Sequence, residues 1–177
     1  MVGADVAILD DDRRPCPAGV PGEIASRDLV GFSGYLNRPE ETAAACHEGY
    51  VLSGDVGVRD PDGRIRIVDR KKDMIVTGGE NVYSAEVERV LAEHPCVADV
   101  AVVGRPDPFW GEAVTAVIVP DGDPPDADDV RAFARARLAG YKVPKSVETV
   151  DALPRNAMGK VQKYRLRTPA AEPEPAP

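Results

Sequence analysis

Residues 63–88, GRIRIVDRKKDMIVTGGENVYSAEVE, constrain the fold more than any other stretch of the chain. Asp62-Gly63 is a turn signal, and Arg64-Ile65-Arg66-Ile67 alternates polar with apolar side chains, as a half-buried strand does. The strand runs into a cluster of charge, Asp69-Arg70-Lys71-Lys72-Asp73. A short apolar run, Met74-Ile75-Val76, then reaches the loop Thr77-Gly78-Gly79-Glu80-Asn81, and a helix is expected from Ser84. A charged bend followed closely by paired glycines suits a joint where two lobes meet over an anionic ligand. Charged groups stay hydrated while lobes move, and glycines let backbone approach a ligand. An ordinary hairpin and a βα loop would account for either half alone; the joined string is far more specific.

On either side of this string the texture differs. Residues 4–70 read as short strands broken by turns: Val6-Ala7-Ile8-Leu9, then Pro15, Pro17, Pro21 and Gly22 before Glu23-Ile24-Ala25. Within this part, residues 39–45 read as one short helix with Pro39 near its start. From Asp73 onward the pattern is mixed. Ser84 is expected to cap a helix whose Val87, Val90 and Leu91 share a face and which ends before Pro95. Residues 97–103 and 113–119 are β-rich, with a turn expected around Pro106-Asp107-Pro108. Asp126 or Asp128 opens a second helix with the stripe Val130, Phe133, Ala134 and Leu138, closed by Gly140. The expected fold class is α+β. A β-rich, barrel-like remnant spans residues 1–71, a small α+β lid domain spans 72–167, and a disordered tail rich in Pro, Ala and Glu spans 168–177. Such a short β-rich part that begins abruptly in a strand points to the end, or a shortened version, of a larger protein.

Bulk properties exclude several function classes. No run approaches the roughly 18 apolar residues of a membrane span, and no signal segment follows Met1, so a cytoplasmic protein is expected. Cys16, Cys46 and Cys96 are odd in number and widely spaced, which argues against a disulfide framework or zinc knuckle. His47 and His94 are too few and too separated for a metal centre, and each is expected at a surface or helix end. The net charge of −8 argues against general nucleic-acid binding. Its distribution is uneven: five aspartates crowd residues 121–129, whereas Lys142, Lys145, Arg155, Lys160, Lys163, Arg165 and Arg167 give a basic C-terminal edge. That edge could hold a small polyanion; a solvated charged face accounts for the same pattern.

Four blocks occur in order: GYLNRPEET (34–42), GYVLSGDVG (49–57), IVDRKKDMIVTGGENVYSAEVE (67–88) and LPRNAMGKVQK (153–163), with PDPFWGE (106–112) between the last two. Together they resemble the C-terminal part of adenylate-forming, AMP-binding enzymes, and among these the acyl-CoA synthetases. The resemblance implies a two-step ligase in which a small-molecule carboxylic acid and ATP give an acyl-adenylate, and coenzyme A then displaces AMP. Mg2+ would accompany ATP in the whole enzyme; no metal ligands are identified in this chain.

Residue by residue, the resemblance implies that Asp55 accepts hydrogen bonds from the ribose hydroxyls, a task suited to a carboxylate with several acceptor sites. Arg70 would reach the ribose and phosphates with its forked donors. Ile67 would give an apolar contact beside the nucleotide, or be plain core, and Asn81 would contact the nucleotide or fix its loop. Lys72 falls at the family's hinge. Gly78, Gly79 and Glu80 fall on the loop that lines the pantetheine tunnel. Trp110 and Tyr141 are candidates to lie against the adenine of coenzyme A. Lys160 matches the mobile lysine that bridges the carboxylate and the α-phosphate during adenylation. Val143 stands where relatives place an arginine, which weakens phosphate binding there unless Lys142 or Lys145 substitutes. The family's phosphate-binding loop, adenine segment and acyl pocket are absent from the matched region. A separate chain supplying the large lobe, or a non-catalytic nucleotide- or CoA-binding module, is therefore a second reading.

Overall fold

The computed structural model describes residues 4–28 and 31–168; of the tail expected to be disordered, all but Thr168 lies outside the described residues. The chain divides into two compact units, Met1–Lys72 and Asp73–Pro177. Both are built as the α+β class requires.

In the first unit, β1 (Asp5–Leu9) pairs antiparallel with β2 (Gly22–Arg27), and β2 with β4 (Tyr50–Arg59). The two-residue β3 (Cys46–His47) and β5 (Ile65–Arg70) both pair with β4, completing five antiparallel strands. Ile8, Leu9, Ala25, Val56 and Val58 are its buried apolar side chains. The helix α1 (Pro39–Ala44) begins on proline, where the missing N–H costs nothing, and buries no side chain. A bulge between Val56 and Gly57 shifts the β4–β5 register, setting Asp55 opposite Arg70 and Gly57 opposite Ile67. Ile67 is 65% exposed, so it is not a core residue. The short run of chain after Arg70, Lys71–Asp73, is a single 3-10 turn.

In the second unit a hairpin, β6 (Ile75–Thr77) and β7 (Glu80–Val82), leads directly into α2 (Ser84–Leu91). Two long strands follow, β8 (Val97–Asp107) and β9 (Gly111–Pro120), then α3 (Ala127–Arg135) and β10 (Ser146–Thr149). β10 runs parallel to β9, an arrangement that requires a crossover, and α3 supplies it. All other pairs in this sheet are antiparallel.

The apolar runs of β8 and β9 are continuous because both faces of the sheet are covered. On one face Val102, Val114, Ala116 and Ile118 pack against Val87 and Leu91 of α2, Val130 and Ala134 of α3, and Val143. On the other, Ala101, Val103 and Val117 meet Leu153, with Val150, Val161 and Leu166 around them. Each large aliphatic side chain fully buried here contributes about 1.5–3 kcal/mol.

Four local expectations need correction. Ser84 is not a cap: Tyr83 occupies that position without a side-chain bond, and Ser84 is a buried first-turn residue. The β8–β9 turn is not at residues 106–108. Ladder pairing persists through Asp107–Gly111, and the Asp107 carboxylate accepts the N–H groups of Phe109 and Trp110, closing the tip there. Gly140 does not end α3, which stops at Arg135; it opens a separate 3-10 turn, Gly140–Lys142. His94 is a helix-end residue but not a surface one. It is buried edge-on to Phe133, its Nδ1 accepts from the Cys96 N–H, and its Nε2 lies 3.2 Å from Asp129.

Candidate active site

The residues singled out in the sequence gather at separate places within the units. In the first unit, the β4–β5 register brings Arg70 Nε to 2.8 Å from Asp55 Oδ1. Asp55 is mostly covered and Arg70 about half exposed, so the pair leaves Arg70's remaining donors open to solvent. Ile67 stands on the same strand as Arg70. Beneath this pair is a carboxylate that sequence reading missed. Glu23 is only 7% exposed, yet it accepts from Arg13 and Lys71, each at 3.0 Å, and from the Gly54 N–H at 3.2 Å. It thus ties the turn before Asp55 to the residue before Lys72. Lys71 also reaches Asp11 at 3.2 Å. Burial opposes its charge, but the hydrogen bonds to Glu23 and Asp11 together outweigh that and raise its pKa above the usual lysine value. Lys72 is exposed and is the last residue of the first unit.

In the second unit, the paired glycines and Trp110 meet. Gly78 (φ +59°) and Gly79 (φ +85°) form the β6–β7 turn in the left-handed conformation that only glycine adopts freely. The Gly78 N–H donates to the Trp110 carbonyl at 2.8 Å, and the indole lies over Gly78. Lys145 places its ammonium 4.7 Å from the centre of that indole, a cation–π geometry. Glu80 and Asn81 are exposed on β7, and the turn bearing Tyr141 lies against the same strand. Trp110 and Tyr141 each keep 39% of their surface open. The structure therefore assembles Gly78, Gly79, Trp110, Tyr141 and Lys145 along one edge of the sheet.

The basic C-terminal edge is largely neutralised within the fold. Lys142 contacts both Glu86 oxygens, at 2.7 and 2.9 Å. Lys163 lies 2.6 Å from Glu88 and 2.8 Å from Ser84 Oγ. Arg155 pairs with Asp99 and Arg167 with Asp73; outside this edge, Arg105 forks onto Glu148 and also donates to the Leu166 carbonyl. Lys142 is thus paired with Glu86, and Val143, where relatives were expected to carry an arginine, belongs to the core. Lys145 lies over the Trp110 ring, and the Lys142 ammonium is 5.7 Å from the centre of the Tyr141 ring.

Lys160 is different. It stands on the segment covering the second face of the sheet, apart from the glycine edge. Asn156 builds its loop: Asn156 Oδ1 accepts from the N–H groups of Met158 and Lys160, and the Asn156 N–H donates to the Lys160 carbonyl. Gly159 turns the chain with φ +80°. The side chain of Lys160 is exposed and meets no acceptor among the described residues. Asn-x-x-Gly was a readable turn signal for this loop. The acids that pair the basic edge lie tens of residues away in sequence and carried no such signal.

Residues 86–160 match the profile of the AMP-binding enzyme C-terminal domain. The chain is 49% identical over 164 residues to a feruloyl-CoA synthase from an Amycolatopsis species, a match covering 92% of this chain and 33% of that protein. The chain carries the C-terminal domain of AMP-binding enzymes and matches the C-terminal portion of adenylate-forming relatives. Among solved structures of these enzymes, ATP-bound MatB from Rhodopseudomonas palustris superposes with a TM-score of 0.87 at 39% identity, over 93% of this chain and 33% of that one. The amide bond synthetase McbA from Marinactinospora thermotolerans gives a TM-score of 0.84 at 42% identity, over 94% and 34%. The chain thus spans about a third of the length of these adenylate-forming relatives and corresponds to the C-terminal portion of acyl-CoA synthetases. Among the described residues no helix is long and apolar enough to cross a membrane, and no group of three His, Cys, Asp or Glu side chains gathers as for a metal ion.

Proposed function

We propose that this chain supplies the lid and the adenylation lysine of an ATP-dependent acyl-CoA synthetase. In the first half-reaction a carboxylate oxygen attacks the α-phosphorus of ATP and pyrophosphate leaves, giving an acyl-adenylate. In the second, the sulfur of coenzyme A attacks the acyl carbonyl and AMP leaves, giving the thioester. Lys160 offsets the negative charge that gathers between carboxylate and α-phosphate. Asp55 accepts from the ribose hydroxyls, Arg70 holds ribose and phosphate, and Ile67 and Asn81 flank the nucleotide. Lys72 absorbs the backbone rotation between the two half-reactions. Gly78, Gly79 and Glu80 line the path of the pantetheine arm, and Trp110 and Tyr141 lie against the adenine of coenzyme A, where Lys145 adds positive charge.

The observation that carries this reading is the state of Lys160: an ammonium with no acceptor among the described residues, on a turn built by Asn156, while Arg155, Lys163 and Arg167 are each paired with an acid. The adenine segment, phosphate loop and acyl pocket that complete the site lie on further sequence or on a separate chain. Mg2+ enters with the ATP phosphates, and a cytoplasmic setting supplies both nucleotides. ATP–pyrophosphate exchange with a panel of carboxylic acids tests the proposal in the full-length enzyme. Lys160→Ala abolishes most of the exchange; an unchanged rate would remove Lys160 from the mechanism. Because McbA is named an amide bond synthetase, the acceptor is tested separately by offering the preformed acyl-adenylate either coenzyme A or an amine, with coenzyme A expected to react.

A further inference from the structure

The loop that presents Lys160 is clamped from outside by one side chain. Arg155 opens the loop, and its guanidinium bridges two anchors: one terminal nitrogen donates to the Gly159 carbonyl at 2.7 Å, the other to Asp99 Oδ2 at 2.5 Å. Asp99 is paired with Val119 just after the irregularity in β8 between Val97 and Asp99, and its second oxygen accepts the Val100 N–H at 3.0 Å. The carboxylate is therefore held by the sheet itself. An isolated backbone bridge between Arg155 and Val161 closes the base of the loop. Gly159 is the residue immediately before Lys160, so the Arg155 fork fixes the peptide plane from which the lysine departs.

We infer that Arg155, oriented by Asp99, is a positioning residue for the adenylation lysine. The inference rests on the role of Lys160 proposed above. Both partners are substantially exposed, 45% for Arg155 and 37% for Asp99. Exposed ion pairs add little to folding stability, so the pair's significance is geometric. Asn156 shapes the loop internally, but its bonds are all local. Among the described hydrogen bonds, the Arg155–Asp99 pair is the one that ties side chains of residues 155–160 to the β8–β9 ladder, while Val161, just after Lys160, packs on the face of that sheet. A lysine head group displaced by an ångström loses much of its effect on a transition state, because such misplacement costs up to about 100-fold in rate.

The test is a double-mutant cycle in the full-length enzyme. Arg155→Ala is expected to slow ATP–pyrophosphate exchange about 10- to 100-fold through kcat, with KM for ATP within about twofold. Thioester formation from preformed acyl-adenylate and coenzyme A is unchanged. In a Lys160→Ala background, Arg155→Ala produces no further loss, because its effect passes entirely through the lysine; a merely structural residue would add its loss in either background. Asp99→Asn, which keeps the bond to Val100 and removes the charge facing Arg155, reproduces part of the effect and serves if Arg155→Ala does not fold. Arg155→Lys restores little, since an ammonium cannot make the two-pronged contact. Normal exchange in both Arg155→Ala and Asp99→Asn, with Lys160→Ala inactive, overturns the positioning role alone. Additive losses in the double variant do the same. Normal exchange in Lys160→Ala overturns the functional reading and this inference with it.

Discussion

Trp110 lies so close over Gly78 that a Cβ added to the glycine would stand 3.1 Å from the indole Cε3. The adjacent Gly79 has open space around the same position. Both have positive φ, so alanine at either site strains the backbone by about 1–2 kcal/mol. Only Gly78→Ala also presses on a ring, which must give by a few tenths of an ångström. Urea titration of the two single variants is expected to rank Gly78→Ala as clearly the less stable. Both slow thioester formation while leaving pyrophosphate exchange largely intact. Equal stabilities would show that the indole swings aside freely.

Asp55 and Arg70 give a binding prediction. Charge-assisted hydrogen bonds are worth about 1.5–3 kcal/mol. Asp55→Ala is therefore expected to raise KM for ATP about 10- to 100-fold in steady-state adenylation, with Asp55→Asn intermediate. An ordinary turn aspartate would leave KM unmoved.

Lys163 gives a stability prediction. Its ammonium is only 15% exposed and sits between Glu88 and Ser84, while Glu88 Oε1 also accepts the Val102 N–H at 2.7 Å. Lys163→Met takes one donor from a mostly covered carboxylate and is expected to cost about 1–3 kcal/mol. Adding Glu88→Gln recovers part of the loss, which thermal melts of the single and double variants measure.

The Glu23 cluster gives a pH prediction. Because the folded pKa of Lys71 is raised, its contribution is fully present below the ordinary lysine value of about 10.4 and disappears as pH rises through the folded value. Lys71→Met should therefore be less stable than the wild type at pH 8, and the gap should narrow only above about pH 10.4. A gap that closes near neutral pH would show that Lys71 is not the titrating partner.

Much of this was legible in the primary structure, for local reasons. Proline at the start of α1, period-two alternation in β5 and the apolar runs of β8 and β9 are decided by neighbours in sequence. What escaped depended on distant partners. The hydroxyl of Ser84 is taken by Lys163, 79 positions on, so a residue that reads as a cap is built into the first turn instead. His94 reads as peripheral until Phe133 and Asp129 fold onto it. The basic edge reads as a polyanion surface, yet Glu86, Glu88, Asp99 and Asp73 pair with much of it. Among the candidate residues, the glycine pair and Trp110 were visible as motifs, whereas their contact required the β6–β9 bridge between Thr77 and Gly111.

Closing both sides of the second sheet with aliphatic side chains has a mechanical consequence. A slab sealed above and below offers a ligand only its rims and loop tips, and those are where Gly78, Trp110 and Lys160 stand.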